Sequence, residues 1–205
     1  MLRPILLAVA LLLGGRELVG QEIEVTLQGG VHAARLDRPE RTGSVKGEAT
    51  TVGLRVGPWF TDHWGIEVGV AWSRNRSYVP SPALPPPSAY DETVFTSATL
   101  RVRPTSRGAA VTVIGLVGPA LIFHGGDGTS LLTRQTDVGG VVGAAAEARV
   151  FTRIGLRLDV HNYLFSSNFT QPYQPPLVGS PTQPAGEQFR HEWVVLAGAT
   201  FSLGY

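Results

Sequence analysis

The sequence contains no cysteine, and beyond its first residues it contains no long apolar run. Without cysteine, a disulfide framework and a lipid attached through a cysteine are both excluded. No 18-residue apolar segment and no long amphipathic helix pattern follows residue 20, so we expect no helical membrane span there. The net charge of +1 is spread along the chain and forms no basic patch, which argues against a nucleic-acid partner.

The first twenty residues are typical of a secretory signal peptide. A single arginine, Arg3, precedes an apolar run over residues 5–13 that is too short to span a bilayer as a helix. The small residue Gly20 predicts cleavage near Gly20–Gln21, although Arg16 and Glu17 leave the exact site open. An uncleaved anchor is the alternative. We therefore predict a signal peptide at 1–20 and one domain at 21–205.

The remaining chain consists of segments with strand-like alternation separated by turn or loop composition. We count eight such segments, at about 22–36, 49–60, 64–78, 92–103, 110–123, 138–151, 154–165 and 189–205. Pro58 and Pro119 fall inside two of them, and because proline cannot donate to a strand ladder, each requires a bulge or a strand end. The pattern predicts an all-β fold.

The connections between these segments alternate between short and long. Residues 61–63, 104–109 and 152–153 form the short ones, whereas 37–48, 79–91, 124–137 and 166–188 form the long ones. Ten of the fifteen prolines lie in the second and fourth long connections, which supports the proposed boundaries. Short turns at one end and long loops at the other are typical of an up-and-down transmembrane barrel.

Apolar and charged residues occupy opposite faces of the predicted strands. In the third segment, for example, Ile66 and Val68 alternate with Glu67. The charged residues within strands collect on one face, namely Glu24, Arg55, Glu67, Arg101, Arg103, Glu147, Arg149, Arg157 and Asp159. A soluble lipocalin-like barrel with these charges outside shows the same alternation as a membrane barrel with them inside. The signal peptide, the loop asymmetry and the aromatic chain end favour the membrane barrel.

The last thirteen residues, WVVLAGATFSLGY, are the most informative stretch. Every second residue counted back from Tyr205 is apolar or small, through Phe201 to Trp193. In a tilted strand, Trp193 and Tyr205 lie about 30 Å apart along the membrane normal, which suits two aromatic girdles. This chain end resembles the OmpA/OmpX-type small eight-stranded bacterial outer-membrane β-barrel family, whose last strand ends in an aromatic residue that the barrel-assembly machinery reads.

The resemblance implies an antiparallel eight-stranded barrel in the outer membrane, with short periplasmic turns and long extracellular loops. The interior of such a barrel is just wide enough for side chains to fill it. The nine charged residues are therefore predicted to form a network in the lumen, where pairing offsets the cost of desolvation. A proton or ion path through them is the alternative.

Enzymatic and metal chemistry find little support in the sequence. Some small outer-membrane barrels modify lipid A with a histidine and a serine two residues apart, and no His-x-Ser occurs here. His161 beside Asp159 is the alternative, as a base with its orienting acid. His124, Asp127 and Asp137 lack the tight spacing of metal ligands, so we expect no metal and no cofactor.

We therefore expect a non-enzymatic, monomeric surface protein that acts structurally or through its loops in adhesion, protection or recognition. A lipid-modifying enzyme and a narrow channel for small or hydrophobic solutes are the alternatives. The expected partners are outer-membrane lipid, lipopolysaccharide and, during biogenesis, the assembly machinery. Arg74 and Arg76 at the outer rim are candidates for lipopolysaccharide phosphates, with a solvated rim as the alternative.

Overall fold

Eight antiparallel strands close into a single barrel. The computed structural model describes residues 22–34, 47–77, 89–105, 109–125, 135–167 and 188–203. The strands are β1 (Glu22–Ala34), β2 (Gly47–Trp59), β3 (Trp64–Ser77), β4 (Ala89–Val102), β5 (Val111–Gly125), β6 (Gln135–Phe151), β7 (Ile154–Ser167) and β8 (Gln188–Leu203). Each strand pairs with the next along the chain, and β8 pairs with β1, so no sheet edge remains.

The pairing register fixes the tilt of the strands. Following paired residues once around the barrel leads from Glu22 through Trp59, Gly65, Arg101, Leu116, Gly143, His161 and Val194 to His32. The circuit returns ten residues further along β1. Ten residues of strand against eight strand spacings correspond to a tilt of about 40°. This tilt brings side chains that are distant in sequence to one level of the lumen.

The sequence-predicted strands are confirmed, with boundaries displaced by three residues or fewer. The β2–β3 and β6–β7 turns are as short as predicted. Pro58 is the penultimate residue of β2, as a strand-end proline should be. Pro119 lies inside β5 without the predicted bulge: the β4–β5 pairing omits residues 118–119 but keeps its register on either side. The described ranges contain no helix long and apolar enough to cross a membrane.

The outer surface is an apolar band between two aromatic levels. On β3, Trp64 and Trp72 are exposed and eight residues apart, and on β8 Trp193 and Phe201 repeat this spacing. Eight residues of a strand tilted by about 40° span about 20 Å, close to the height of the lipid-facing band of outer-membrane barrels. The exposed residues between these levels are aliphatic, for example Ile66, Val68 and Val195.

Two layers fill most of the lumen, and a smaller buried apolar cluster contains Trp59, Ile114, Leu116 and Ala145. We call the barrel end with the connections 60–63, 103–110 and 152–153 the turn end, and the opposite end the loop end. The charged layer, nearer the turn end, contains Glu24, Gln28, Arg55, Glu67, Arg101, Arg157, Asp159 and His161. The apolar layer, nearer the loop end, contains Ala71, Phe95, Ala120, Ile122, Val141, Tyr163, Phe165, Val194 and Leu196. All of these side chains are buried.

Candidate functional site: the filled lumen

Glu67 is the centre of the charged layer. Its carboxylate accepts hydrogen bonds from Arg157, at 2.7 Å and 3.3 Å, and from Arg55 at 3.1 Å. The Arg101 Nη1 atom lies 3.5 Å from Glu67 Oε2. Three guanidinium groups from three different strands thus share one carboxylate that is 1 % exposed. The fork geometry of arginine suits this arrangement, because each guanidinium presents several donors in a fixed plane.

Two further acids balance the three arginines. Glu24 accepts a 2.6 Å hydrogen bond from Arg101, and Asp159 accepts one of 2.8 Å from Arg157. The layer therefore holds three buried cations and three buried anions. Ions out of water are tolerated only when they are paired and hydrogen-bonded, and this arrangement meets both conditions.

Gln28 and His161 complete the layer at its border with the apolar layer. Gln28 accepts a 3.0 Å hydrogen bond from Arg55 and donates one to Asp159, so it bridges opposite charges with a neutral amide. His161 Nε2 lies 3.2 Å from Asp159 Oδ1. His161 is fully buried, and Asp159 is already bound to Arg157. The base-and-acid pair suggested by the sequence therefore exists as a contact, inside a layer of ion pairs.

Glycine provides the space that the layer needs. A Cβ atom at Gly69 would lie 2.9 Å from Arg55 Nη1, so a larger residue would displace the guanidinium that reaches Glu67. The β2–β3 pairing omits residues 57–58, and the Gly57 carbonyl accepts a 2.7 Å hydrogen bond from Arg101 Nη2. The backbone carbonyl at this interruption of the pairing, next to Pro58, thus accepts its hydrogen bond from a side chain of the charged layer.

Trp59 closes the charged layer toward the turn end. The guanidinium carbons of Arg101 and Arg103 each lie 4.0 Å from the centroid of its ring. Both guanidinium groups therefore contact the same indole ring. Arg103 also donates a 2.6 Å hydrogen bond to the Asp62 carbonyl in the β2–β3 turn. Cation–π contacts of this kind are strongest where water is excluded.

Three of the nine charged residues predicted for the network lie outside it. In the described part of the chain, Arg103 stacks on Trp59 instead of forming an ion pair. Glu147 is half-buried over Gly155 and makes no ion pair with a described residue. Arg149 pairs with Gly155 in the register of the rest of β6 and β7, but it lies near the turn end of β6 and is exposed there, outside the network.

A second polar group, which the sequence did not reveal, lies at the loop end of the lumen. His32 on β1 contacts Ser73 on β3 through Nδ1 at 3.0 Å and Glu192 on β8 through Nε2 at 2.9 Å. Because a carboxylate only accepts, Nε2 carries the proton and Nδ1 accepts from the serine hydroxyl when the ring is neutral. Nearby, His124 Nε2 lies 3.3 Å from Asp137 Oδ2.

The order hydroxyl, imidazole, carboxylate is also that of a serine hydrolase. However, Ser73 is 1 % exposed, and the Phe95 and His32 rings pack edge to face at a centroid distance of 5.0 Å. A substrate carbonyl has no approach to a hydroxyl buried to this degree, so we interpret the three residues as a brace between strands. Among the described residues, no group of three or more histidine or acidic side chains is arranged to hold a metal ion.

The remaining predicted residues lie at the surface or outside the described residues. Trp193 and Phe201 are exposed on β8 at the two aromatic levels. Tyr205, the signal region 1–20 and the two proline-rich connections lie outside the described residues. Arg74 is exposed and lies 3.7 Å from Glu92 on β4, so its charge is shared with an acid. Arg76 is in β3, and its side chain lies outside the described residues.

Known structures share this architecture at low sequence identity. Neisserial surface protein A aligns with a TM-score of 0.55 at 12 % identity, covering 90 % of this chain and 97 % of that one. A major outer membrane protein from Thermus thermophilus aligns with a TM-score of 0.53 at 13 % identity, covering 90 % and 100 %. At such identities the likeness concerns the fold alone. No curated protein matches the sequence.

The sequence itself matches a family described as "Outer membrane protein beta-barrel domain" over residues 5–184, which is most of the chain. In this family the turn end faces the periplasm and the loop end faces outward, as the resemblance of the chain end predicted. The closed eight-stranded barrel and its apolar outer band are both consistent with this family match. The chain belongs to the outer-membrane β-barrel family.

Proposed function

We propose that this protein is a non-enzymatic, monomeric outer-membrane barrel whose filled lumen is a rigid support for its long extracellular connections. The observation that carries the proposal is the pair of complementary lumen layers. A charged layer with balanced charges lies below a layer of tightly packed apolar side chains, and neither leaves a polar path across the membrane. A barrel of this kind acts through what it presents outside: adhesion, protection or recognition at the cell surface.

The fold neighbours support this proposal only in general terms. Neisserial surface protein A is named as a surface protein, and the Thermus protein as a major outer membrane protein. Both names fit a role at the envelope. Lipid modification is disfavoured because Ser73 and His161, which carry the only plausible reactive contacts among the described residues, are buried.

Two measurements on the full-length protein test the proposal. In planar lipid bilayers we expect no stable conductance steps, because the apolar layer excludes water. In cells that express the protein, we expect a lipid A mass profile identical to that of cells carrying the empty vector. Discrete channels in the first measurement would support the narrow-channel alternative. A shift in lipid A mass that disappears in Ser73→Ala would support the enzyme alternative.

Lipopolysaccharide contact at the outer rim is a further part of the proposal. Arg74 is exposed above Trp72, at the level where lipopolysaccharide carries phosphate. Its ion pair with Glu92 does not preclude a phosphate, because a pair of half-exposed groups contributes little stability on its own. If the contact exists, Arg74→Gln lowers the amount of lipopolysaccharide that copurifies with the barrel, whereas Arg153→Gln at the opposite end does not.

The chain end provides a prediction about biogenesis. Tyr205 occupies the position that the assembly machinery reads in the resembling family, and an aromatic ring there is also favoured at the membrane interface. Deleting Tyr205 should lower the amount of folded barrel in the outer membrane while leaving refolding in detergent largely intact. Heat-modifiable gel mobility measures both quantities. Equal membrane amounts of the deletion variant and the parent would contradict the proposed recognition.

A further inference from the structure

Two buried hydrogen-bond donors without an acceptor lie at the turn end of the lumen. Among the described residues, Arg103 Nη2 and Trp59 Nε1 have no hydrogen-bond partner, although the two residues are only 4 % and 3 % exposed. The Arg103 guanidinium carbon lies 4.0 Å from the centroid of the Trp59 ring, so both donors belong to one corner of the barrel. Buried polar atoms without a partner are rare in folded proteins, and these two therefore require an explanation.

The surrounding chain holds the Arg103 guanidinium in place without neutralising it. The Nε atom donates a 2.6 Å hydrogen bond to the Asp62 carbonyl, and the Trp59 ring lies against the same group. A carbonyl and an indole fix the position of the cation, but neither carries a net charge. Thr105, two residues further along the chain, adds a hydroxyl that is likewise buried and without a partner within the described ranges. This corner of the barrel therefore presents donors that are already oriented.

The charged layer does not balance the charge of Arg103. That layer already holds three anions against three cations, and its acid nearest the turn end, Glu24, accepts a 2.6 Å hydrogen bond from Arg101. Glu22 is buried and pairs with Trp59 in the β1–β2 register, but in the described part of the chain no ion pair joins it to Arg103. A buried cation without a counter-ion is costly. A water molecule would satisfy the donors, but it would not supply the missing negative charge.

We propose that Arg103 and Trp59 bind a small anion at the periplasmic end of the lumen. Both side chains only donate hydrogen bonds, so the ligand must accept them, which excludes a metal cation or an amine. A halide or a small oxyanion such as phosphate accepts in several directions and supplies the negative charge that Arg103 lacks. Arg103 directly follows the last residue of β4, so the site lies at the membrane surface and within reach of the periplasmic solution.

Quenching of Trp59 fluorescence by iodide tests the proposal, because a heavy halide bound beside the indole quenches it directly. Trp64→Phe, Trp72→Phe and Trp193→Phe leave Trp59 as the sole tryptophan of the full-length chain. In a nonionic detergent, iodide replaces the bulky anion gluconate at constant ionic strength, so that screening stays unchanged. We expect quenching that saturates with iodide concentration. Added chloride or phosphate should reverse it by competition.

Removing the guanidinium should weaken iodide binding about tenfold, as expected for the loss of a charge-assisted hydrogen bond. Arg103→Met, made in the chain with Trp59 as its sole tryptophan, keeps an apolar stem beside the indole and removes every donor. Arg153→Met is the matched control, because Arg153 is an exposed arginine in the β6–β7 turn at the same end of the barrel. The control should bind iodide as tightly as the chain without it. Heat-modifiable mobility checks that each variant is folded.

Thermal unfolding of the otherwise unchanged chain provides a second measurement. A ligand that binds only the folded state raises the unfolding midpoint, so chloride in place of gluconate should stabilise the parent. Trp59→Phe keeps an aromatic ring beside Arg103 but removes the indole N–H, so its midpoint should respond less to chloride. The proposal is overturned if iodide quenching is linear and unsaturable, or if Arg103→Met binds iodide like Arg153→Met. Equal midpoints of the parent in chloride and gluconate would also overturn it, and water would then be the partner of the donors.

Discussion

The two layers occupy neighbouring levels of the lumen and fill it by opposite kinds of interaction. The apolar layer fills its level with packed side chains such as Phe95, Ile122 and Tyr163, whose contacts are short-range and non-directional. The charged layer fills its level with six ions and a few directional hydrogen bonds. An apolar side chain can lose a neighbour and keep most of its contacts. An ion in the charged layer cannot lose its counter-ion at comparable cost.

The layers also differ in what they do to permeation. At the level of Glu67 and Arg157, the polar groups are able to form hydrogen bonds with water. In the apolar layer the Tyr163 hydroxyl is the one polar side-chain group, and the aromatic rings are in contact, with the Phe95 and Tyr163 centroids 4.5 Å apart. We therefore propose that the charged layer ties strands together around the barrel, whereas the apolar layer seals it. Four substitutions test this division, beginning with the largest expected effect.

Removing the central acid should destabilise the barrel most. Glu67→Ala leaves Arg55, Arg101 and Arg157 short of one negative charge, and breaking a buried pair typically costs about 3–5 kcal/mol. The adjacent outward residue gives the control, because Val68→Ala only exchanges apolar contact with lipid and should cost less than about 1 kcal/mol. Urea unfolding in lipid vesicles, followed by tryptophan fluorescence, ranks the two. Equal costs would mean that the three arginines do not depend on Glu67.

Opening the apolar layer should cost somewhat less stability and change permeation. Phe95→Ala removes a fully buried ring, for which about 3 kcal/mol is typical, and leaves the charges intact. We expect ion conductance in planar bilayers to rise above the parent's, whereas Glu67→Ala should leave conductance low because the seal is unchanged. If Glu67→Ala conducts and Phe95→Ala does not, the charged layer is the seal and the division is reversed.

Removing the indole that contacts two arginines should have an intermediate effect. Trp59→Leu keeps apolar volume but removes both guanidinium contacts, which together contribute about 2 kcal/mol when desolvated. Trp64→Leu, five residues away and outward-facing, is the control for loss of a tryptophan at the same end of the barrel. Thermal unfolding of the two variants in detergent should separate a lumenal from an interfacial role. Identical unfolding midpoints for the two variants would show that the contacts of Arg101 and Arg103 with Trp59 add no stability.

The ion pair at the outer rim should have the smallest effect. Arg74 and Glu92 are each more than a third exposed, and the closest atoms are 3.7 Å apart. Water and salt screen such a pair, so Arg74→Ala should change the free energy of unfolding by less than about 0.5 kcal/mol, and less still at high salt. A cost comparable with that of Glu67→Ala would mean that burial does not determine how much an ion pair contributes to the stability of this barrel.

Several features of the fold were predictable because they depend on local pattern. Alternation in β3 assigned Glu67 to one face and Val68 to the other, and the structure buries the first and exposes the second. The same reasoning was insufficient at Arg149, which pairs with Gly155 in unchanged register but is exposed because it lies near the turn end of β6. It also misjudged Pro119, which the barrel accommodates by omitting pairs with β4 without adding a residue.

The candidate site was only partly predictable for a related reason. Face assignment identified Glu24, Arg55, Glu67, Arg101, Arg157 and Asp159 as lumenal, but no pattern in the sequence states that Glu67 meets Arg157. The Ser73, His32 and Glu192 contacts were missed, since these residues come from three strands and share no spacing motif. Their only signal was the polar face on which His32 and Ser73 lie.

The sequence by itself determined the number of strands, the faces of most side chains and the end at which the long connections lie. These properties follow from the period of a strand and from turn composition, both of which are local. Only the tertiary structure decided which charges pair and how the lumen divides into two layers. Closure with a shift of ten residues sets the level of every side chain, and that shift is a property of the whole barrel.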